Sequence, residues 1–395
     1  MQRMLRAERG GRAGKMKIRR LKTEEHYRTR KLWEEVFTED TKEFLDYYYF
    51  IKARTNEIYV AEEDGDIRSM LQLNPYMMQV CGRTFPSNYI IAVATQKEYR
   101  GRGCMGSLLK KSMEDMYARR VPFTFLMPAA EAIYTPYDFR YIYRQKTGIL
   151  PEHDGADKAA PDPGAESSDA GIWEAELLSD FFEQNFAEKW QVYTVRDEEY
   201  YRTLILEQQS ERGGVRILRD KGRIVGMFAY ASEDETEIRE PLILPGYEKA
   251  FERSVCELQR AAGRPVRIYG YDGGENWEER PLIMARILYL PALLGALKVP
   301  EGVSADCSFA VIDPLIRQNS RVWRVRSGSG EERLHVSETE DSEGVIPVAE
   351  LTEFLFGMKT AEEISRSEHV ILSDRLVREM EKIEKLSSVF INEIV

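Results

Sequence analysis

The sequence predicts an α+β protein with mixed sheets, arranged in three parts. Three observations lead there. The stretch Tyr89–Leu109, YIIAVATQKEYRGRGCMGSLL, passes from an apolar, partly β-branched run through a short basic loop into helical spacing. The order of strands and helices expected over 16–150 recurs over 172–280. Beyond 281 a helix-rich start gives way to strands and then helices, the pattern of a helix-flanked antiparallel sheet.

Composition narrows the class. A chain of 395 residues holds two or three domains, and 43% hydrophobic content is ordinary for a folded protein. Lys+Arg 56 against Asp+Glu 67 gives a net charge of −11. That excludes a general nucleic-acid binder and suits a site that attracts cations. Cys81, Cys104, Cys256 and Cys307 form no C-x-x-C pair, and His26, His153, His335 and His369 are scattered, so no disulfide framework and no metal site is expected. The longest apolar run, Leu282–Val299, carries Arg286 and Pro291 and reads as a buried helix or helix pair, not a membrane span. Met1–Lys15 is Arg-rich without an apolar core, which reads as a disordered extension and not a signal peptide. A reducing, cytoplasmic location is expected.

In chain order, Met16–Leu21 alternates as a strand, and Thr23 with Glu24 and Glu25 can cap a helix to Phe37. Thr41–Ala53 reads as a second helix. Glu57–Glu62 and Ile67–Val80 read as strands about the turn Asp64-Gly65. After the central strand and loop come a helix Gly103–Arg120, a strand Phe123–Met127, a short helix Glu131–Tyr137 and a strand Tyr141–Ile149. Residues 151–171 are rich in Pro, Gly, Ser and Asp and read as a linker. Helices follow at Ile172–Lys189 and Asp197–Gln209, then strands Val215–Leu218, Arg223–Ala231 and Thr236–Leu244, a helix Tyr247–Ala262 and a strand Pro265–Tyr271. The last part, 281–395, holds strands Ser308–Ile312, Arg321–Arg326 and Arg333–Ser337. Helices are expected at Val348–Phe356, Ala361–Arg366 and Ser373–Leu386. The apolar end Val389–Val395 suggests a tail tucked into the protein.

The loop Arg100–Gly106 carries the chemistry. Free backbone N–H groups at a helix start bind anions, glycines allow close approach, and Arg100 and Arg102 add charge. A phosphorylated cofactor is the natural guest. Gly101-x-Gly103-x-x-Gly106 matches the dinucleotide fingerprint, but five residues separate Thr95 from Gly101, and the next strand ends in Pro128 instead of an acid. Arg100-Gly101-Arg102-Gly103-Cys104-Met105, behind the strand end Val93-Ala94-Thr95, resembles the acetyl-CoA loop of the GNAT superfamily of N-acetyltransferases, with Met105 in place of its final Gly/Ala. Leu290-Pro-Ala-Leu-Leu294 and Ile312-Asp-Pro-Leu315 resemble one GNAT subfamily, the enhanced intracellular survival proteins.

That resemblance implies tandem GNAT folds at 16–150 and 172–280, the second degenerate and without the cofactor loop, since Glu240-Pro-Leu-Ile-Leu-Pro-Gly246 stands in its place. It implies a third domain, 281–395, like sterol carrier proteins. The activity implied is N-acetylation of primary amines, with acetyl-CoA as donor and cationic small molecules, aminoglycoside-like or lysine-like, as acceptors. A protein lysine acetyltransferase and a non-enzymatic lipid-binding or scaffold protein are the alternatives. By resemblance, Arg100, Gly101, Arg102, Gly103, Cys104, Met105 and Gly106 would hold the pyrophosphate. Val93, Ala94 and Thr95 would pair with the pantetheine arm, and Ala129 and Ala130 would touch the same cleft. Ile133-Tyr134-Thr-Pro-Tyr137-Asp138-Phe139 resembles the segment where these enzymes keep their acid, which falls on Tyr134. The subfamily's base is the C-terminal carboxylate, here that of Val395, and its assembly is a homo-oligomer, a hexamer.

Overall fold

The computed structural model describes residues 16–150, 164–233, 235–271, 277–328, 330 and 332–393. The first stretch contains β1 (Lys17–Arg20), α1 (Arg30–Val36), α2 (Lys42–Phe50), β2 (Glu57–Glu63), β3 (Asp66–Val80), β4 (Arg83–Thr95), α3 (Cys104–Ala118), β5 (Phe123–Leu126), α4 (Glu131–Tyr134) and β6 (Arg140–Ile149). Residues Thr23–Thr29, expected in the first α-helix, form a 3₁₀ turn instead. Leu108, Leu109, Met113 and Met116 of α3 are buried at helical spacing, so one face seals against the sheet. All four residues of β5 are buried, as in a strand covered on both faces.

The second stretch contains β7 (Glu166–Asp169), α5 (Ala175–Asn185), β8 (Val192–Thr194), α6 (Glu198–Ser210), β9 (Gly214–Asp220), β10 (Arg223–Ser232), β11 (Thr236–Ile243), α7 (Glu248–Ala262), β12 (Val266–Tyr269) and β13 (Glu278–Ile287). One continuous sheet joins both stretches in the order β1-β2-β3-β4-β5-β13-β6-β12-β11-β10-β9-β7. The expected linker is corrected in part: 151–163 lie outside the described residues, while Glu166–Asp169 is a strand paired with β9.

Leu282–Val299 is not a helix pair. Its first third belongs to β13, which slots antiparallel between β5 and β6. Pro281 sits where the register shifts, a place that tolerates its missing N–H. Pro291 starts the short helix α8 (Leu290–Leu294), where a proline needs no donor either. The boundary drawn at 281 therefore cuts through a strand of the main sheet.

The remainder contains β14 (Asp306–Ile312), β15 (Val322–Ser327), β16 (Leu334–Glu338), β17 (Gly344–Pro347), α9 (Val348–Leu355), α10 (Ala361–Ser365), β18 (Ile371–Leu372), α11 (Asp374–Met380) and β19 (Val389–Phe390). Its sheet runs β16-β15-β14-β17-β18, with β14 and β17 parallel. The last expected helix stops at Met380, short of Leu386. Phe309, Val325, Phe354 and Leu376 fill its interior and join one core cluster with Leu109 and Phe125. Phe123 and Phe356 meet edge to face at 5.6 Å across this junction.

As far as Glu393 the tail is tucked in, as expected. β19 lies parallel to β8, which pairs antiparallel with β3, and Ile391, Asn392 and Glu393 are buried. Among the described residues no helix is long and apolar enough to cross a membrane.

Candidate active site

β4 and β5 are parallel neighbours that part company. Ser87 Oγ donates to the Phe123 carbonyl at 2.8 Å, and Thr124 Oγ1 donates to the Asn88 carbonyl at 2.7 Å. The ladder between them is the single pair Tyr89–Phe125. Beyond it β4 carries a bulge: Met70 faces Ala94 while Gln72 faces Ile91, so Ala92 and Val93 stand opposite Leu71, with Ala92 at φ +50°. The bulge turns the end of β4 away from β5 and opens a fork. Val93, Ala94 and Thr95 line its β4 side. The Ala94 carbonyl accepts from Ser69 Oγ at 2.8 Å, and the Thr95 carbonyl from Arg100 Nε at 3.2 Å.

At the mouth of the fork the chain turns into α3. Gly101 and Gly103 have φ of +74° and +78°, and a side chain on either would meet nothing within 4 Å. Gly103 is the N-cap, and among the described residues no side chain accepts from the first turn, so the helix start presents N–H groups to an open cradle. The arginines are partly engaged. Besides the Arg100 bond to Thr95, Arg102 lies over the Tyr99 ring at 4.7 Å, a ring that Arg68 also approaches at 5.0 Å. Cys104 is buried, and Met105 packs against the core. Gly106 lies under the Tyr137 ring: a Cβ there would stand 2.6 Å from the hydroxyl oxygen, so any side chain would displace Tyr137. The cradle fits a pyrophosphate.

Tyr134 ends α4, just beyond β5, and is 7% exposed. Its ring meets Phe139 edge to face at 5.9 Å, and burial pushes its pKa up to about 12. The phenol stays protonated at neutral pH, as a proton donor must. The residue in the glycine position of this segment, Asp138, adopts the left-handed conformation at φ +63°. Ala129 and Ala130 are exposed in the loop after β5. Val395 lies outside the described residues.

A cavity of about 330 Å³ lies between the start of α6, the end of α2, the middle of β3 and the tail, and its β3 residues Pro75–Met77 pair with Pro86–Asn88 of β4, just before the fork. Five carboxylates line it (Asp197, Glu199, Glu207, Glu240 and Glu393) against Lys52 and Arg239. Lys52 Nζ donates to Tyr76 Oη at 2.9 Å and lies 3.4 Å from Glu207. Behind the wall, buried Arg196 pairs with Glu240 at 2.5 Å and Glu393 at 3.3 Å. Even counting Arg196, carboxylates outnumber cations five to three. Glu240 occupies a bulge like that of Ala92, at φ +57°, with Ala229 opposite Arg239 and Met227 opposite Leu242. Tyr89 links cavity and fork: its phenol, pushed up by burial, feels Tyr76 and Arg239 on the cavity wall and Tyr134.

The fold thus gathers the expected loop, the end of β4 and Tyr134 around one fork. Lys52, Glu207, Arg196, Glu240 and Glu393 were not anticipated. They come from separate segments, and no local pattern marks them as partners. At the start of α7, the Gly246 N–H donates to the Glu248 carboxylate at 2.9 Å, so the second stretch supplies its own anion where the first leaves a cradle.

Residues 17–142 match the family model of the acetyltransferase (GNAT) domain, and residues 290–394 that of the sterol carrier protein domain. No curated protein matches the sequence. The fold is similar to that of a conserved protein of unknown function from Enterococcus faecalis V583 (TM-score 0.78, 17% identity, 94% of this chain and 97% of that one). It is also similar to a GCN5-related N-acetyltransferase from Anabaena variabilis (0.76, 16%, 95% and 99%) and to Eis1 from Mycobacterium abscessus (0.67, 15%, 94% and 98%). At such identities the likeness is one of fold. The chain carries a GNAT acetyltransferase domain followed by a sterol-carrier-like domain.

Proposed function

We propose that the chain transfers an acetyl group from acetyl-CoA to a primary amine of a cationic small molecule, aminoglycoside-like or lysine-like. The acidic cavity beside the fork carries this reading, because carboxylates lower the free energy of a bound cation. Acetyl-CoA supplies an activated thioester. The free N–H groups at the start of α3 hold its pyrophosphate, with Gly101 and Gly103 giving backbone approach. Val93 to Thr95 orient the pantetheine arm along the unpaired edge of β4. Tyr134 donates a proton to the departing thiolate. The amine enters from the cavity, and the α-carboxylate of Val395 accepts its proton. Glu393 at the cavity wall supports that last assignment. The second stretch is a GNAT-like repeat that has lost its anion site, and it contributes the acidic wall instead.

The test is thiol release from acetyl-CoA across polyamines, aminoglycosides and lysyl peptides, with products identified by mass. Turnover of small polycations is expected, and none with any amine would overturn the proposal. Turnover of peptides alone would favour a protein lysine acetyltransferase. For the base, Val395→Ala keeps the carboxylate, whereas deleting Val395 withdraws it by about 3.5 Å. Only the deletion should abolish turnover, and equal rates would remove Val395 from the mechanism.

A further inference from the structure

Arg286 is the charge that the apolar run Leu282–Val299 seemed ill suited to carry. In β13 it is fully buried, opposite Thr124 of β5. Each end of its guanidinium is used. Nε donates to the Tyr137 carbonyl at 2.9 Å, and Nη2 lies 3.4 Å from Asp138 Oδ2. Nη2 also donates to Asp313 Oδ1 at 2.5 Å, and Nη1 to the Ile287 carbonyl at 2.7 Å. Asp313 is fixed in turn by the N–H groups of Leu315 and Ile316 at 3.1 and 2.8 Å and by Asn319 Nδ2 at 2.9 Å. The sequence Ile312-Asp-Pro-Leu315 is therefore the socket of a buried arginine.

The other end of the arginine grips the turn that carries the acid. Asp138 N–H donates to the Thr135 carbonyl at 3.1 Å, and the Phe139 ring packs on Tyr134. Asp138 is left-handed, a conformation that costs most residues about 1–2 kcal/mol and that Asp tolerates when its side chain is held. Tyr137, whose carbonyl the arginine takes, also rests its hydroxyl against Gly106 at the cofactor loop. One turn thus sets both the Tyr134 ring and the packing of the loop helix, and Arg286 ties that turn to the C-terminal domain.

We infer that Arg286, anchored by Asp313, is a positioning residue that holds the Tyr134 turn in its donating geometry, so that the C-terminal domain sets the rate of proton donation. This rests on the assignment of Tyr134 as the acid. A shift of about 1 Å in a reacting group costs up to ~100-fold in rate, so a loosened turn should show in kcat. Arg286→Lys keeps the charge and loses the fork. Because a fully buried change can compromise folding, Asp138→Asn is the companion variant: Asn accepts the left-handed conformation, and the Arg286–Asp313 pair stays intact.

The experiment is a double-mutant cycle in the full chain, measuring kcat and acetyl-CoA affinity for wild type, Asp138→Asn, Tyr134→Phe and the double variant. Asp138→Asn should lower kcat by roughly tenfold with acetyl-CoA affinity unchanged, and it should cost nothing further in the Tyr134→Phe background. Arg286→Lys, if folded, should follow the same pattern. Full activity in Asp138→Asn, or an undiminished loss in the Tyr134→Phe background, overturns the positioning role alone. Wild-type turnover in Tyr134→Phe overturns the acid assignment and the positioning role with it.

Discussion

Arg196 Nη2 lies 3.3 Å from Glu393 Oε1, so a buried cation of the second stretch holds the tail of the chain against the cavity. The same guanidinium pairs with Glu240 and lies over the Phe390 ring at 4.5 Å. Two carboxylates share one arginine with little water nearby. Removing the arginine should therefore hurt far more than removing either acid. Arg196→Met is expected to cost about 3–5 kcal/mol, because both acids stay buried without their cation. Burial already holds the Glu240 carboxyl above its ordinary range, and losing the arginine that opposes this would raise it further, so the loss grows as pH rises through the carboxylate range. Urea unfolding at pH 5 and pH 8 checks this, and equal stability of variant and wild type at pH 8 would contradict it.

The cradle at α3 can be closed without touching the core. Arg102→Ala with Gly103→Asp places a carboxylate at an exposed helix start. The new anion competes for the N–H groups a phosphate would use, as Glu248 does at α7. Calorimetry should find acetyl-CoA binding lost while the chain stays folded, with Tm lowered only by the strain of Asp at the left-handed Gly103 position. Retained affinity would move the cofactor elsewhere.

Tyr134→Phe keeps the ring against Phe139 and removes only the hydroxyl. kcat should fall by ~100-fold with acetyl-CoA affinity held. With its pKa near 12, the phenol is protonated, and hence a donor, at every pH below that value. The wild-type rate should show no loss of this acid as pH rises from 7 to 10. An alkaline limb near 8 that vanishes in Tyr134→Phe would contradict the raised pKa, and wild-type kcat in Tyr134→Phe would refute the assignment of the acid.

Local features were legible in the sequence, and long-range ones were not. The strand, loop and helix over Tyr89–Leu109 lie close to where spacing put them, because glycine, β-branching and helical periodicity act over a few residues. Asp138 looked like a departure from a glycine position, and its conformation depends on Arg286, 148 residues away. β13 read as helix because a short apolar run has no period of its own, and its strand state comes from the gap between β5 and β6. The cavity is likewise assembled from distant segments. Lys52, Glu207 and Glu240 come from separate elements, and Glu393 joins them once β19 threads beside β8.

Glu211, at the end of α6, has its pKa pushed up to about 8 by burial, with Glu207 adding to it. An unfolded glutamate titrates near 4.3. Between these values the folded state holds a proton that the unfolded state has released, so stability falls as pH rises from about 4 to 8. Glu211→Gln removes that penalty. The variant should match wild type near pH 4 and melt higher than wild type at pH 8. A constant Tm difference across that range would contradict the assignment.

The proposed function requires an acceptor amine bound among carboxylates beside the fork, and Glu199 tests that most directly. It lines the cavity from the exposed first turn of α6, so changing it leaves no buried charge unpaired. The measurement is the rate of thiol release from acetyl-CoA against the concentration of a linear triamine, for wild type and Glu199→Lys. Wild type should turn over, and Glu199→Lys should raise KM for the triamine by roughly tenfold with kcat little changed. Thiol release absent in wild type, or the same KM in both proteins, would contradict it.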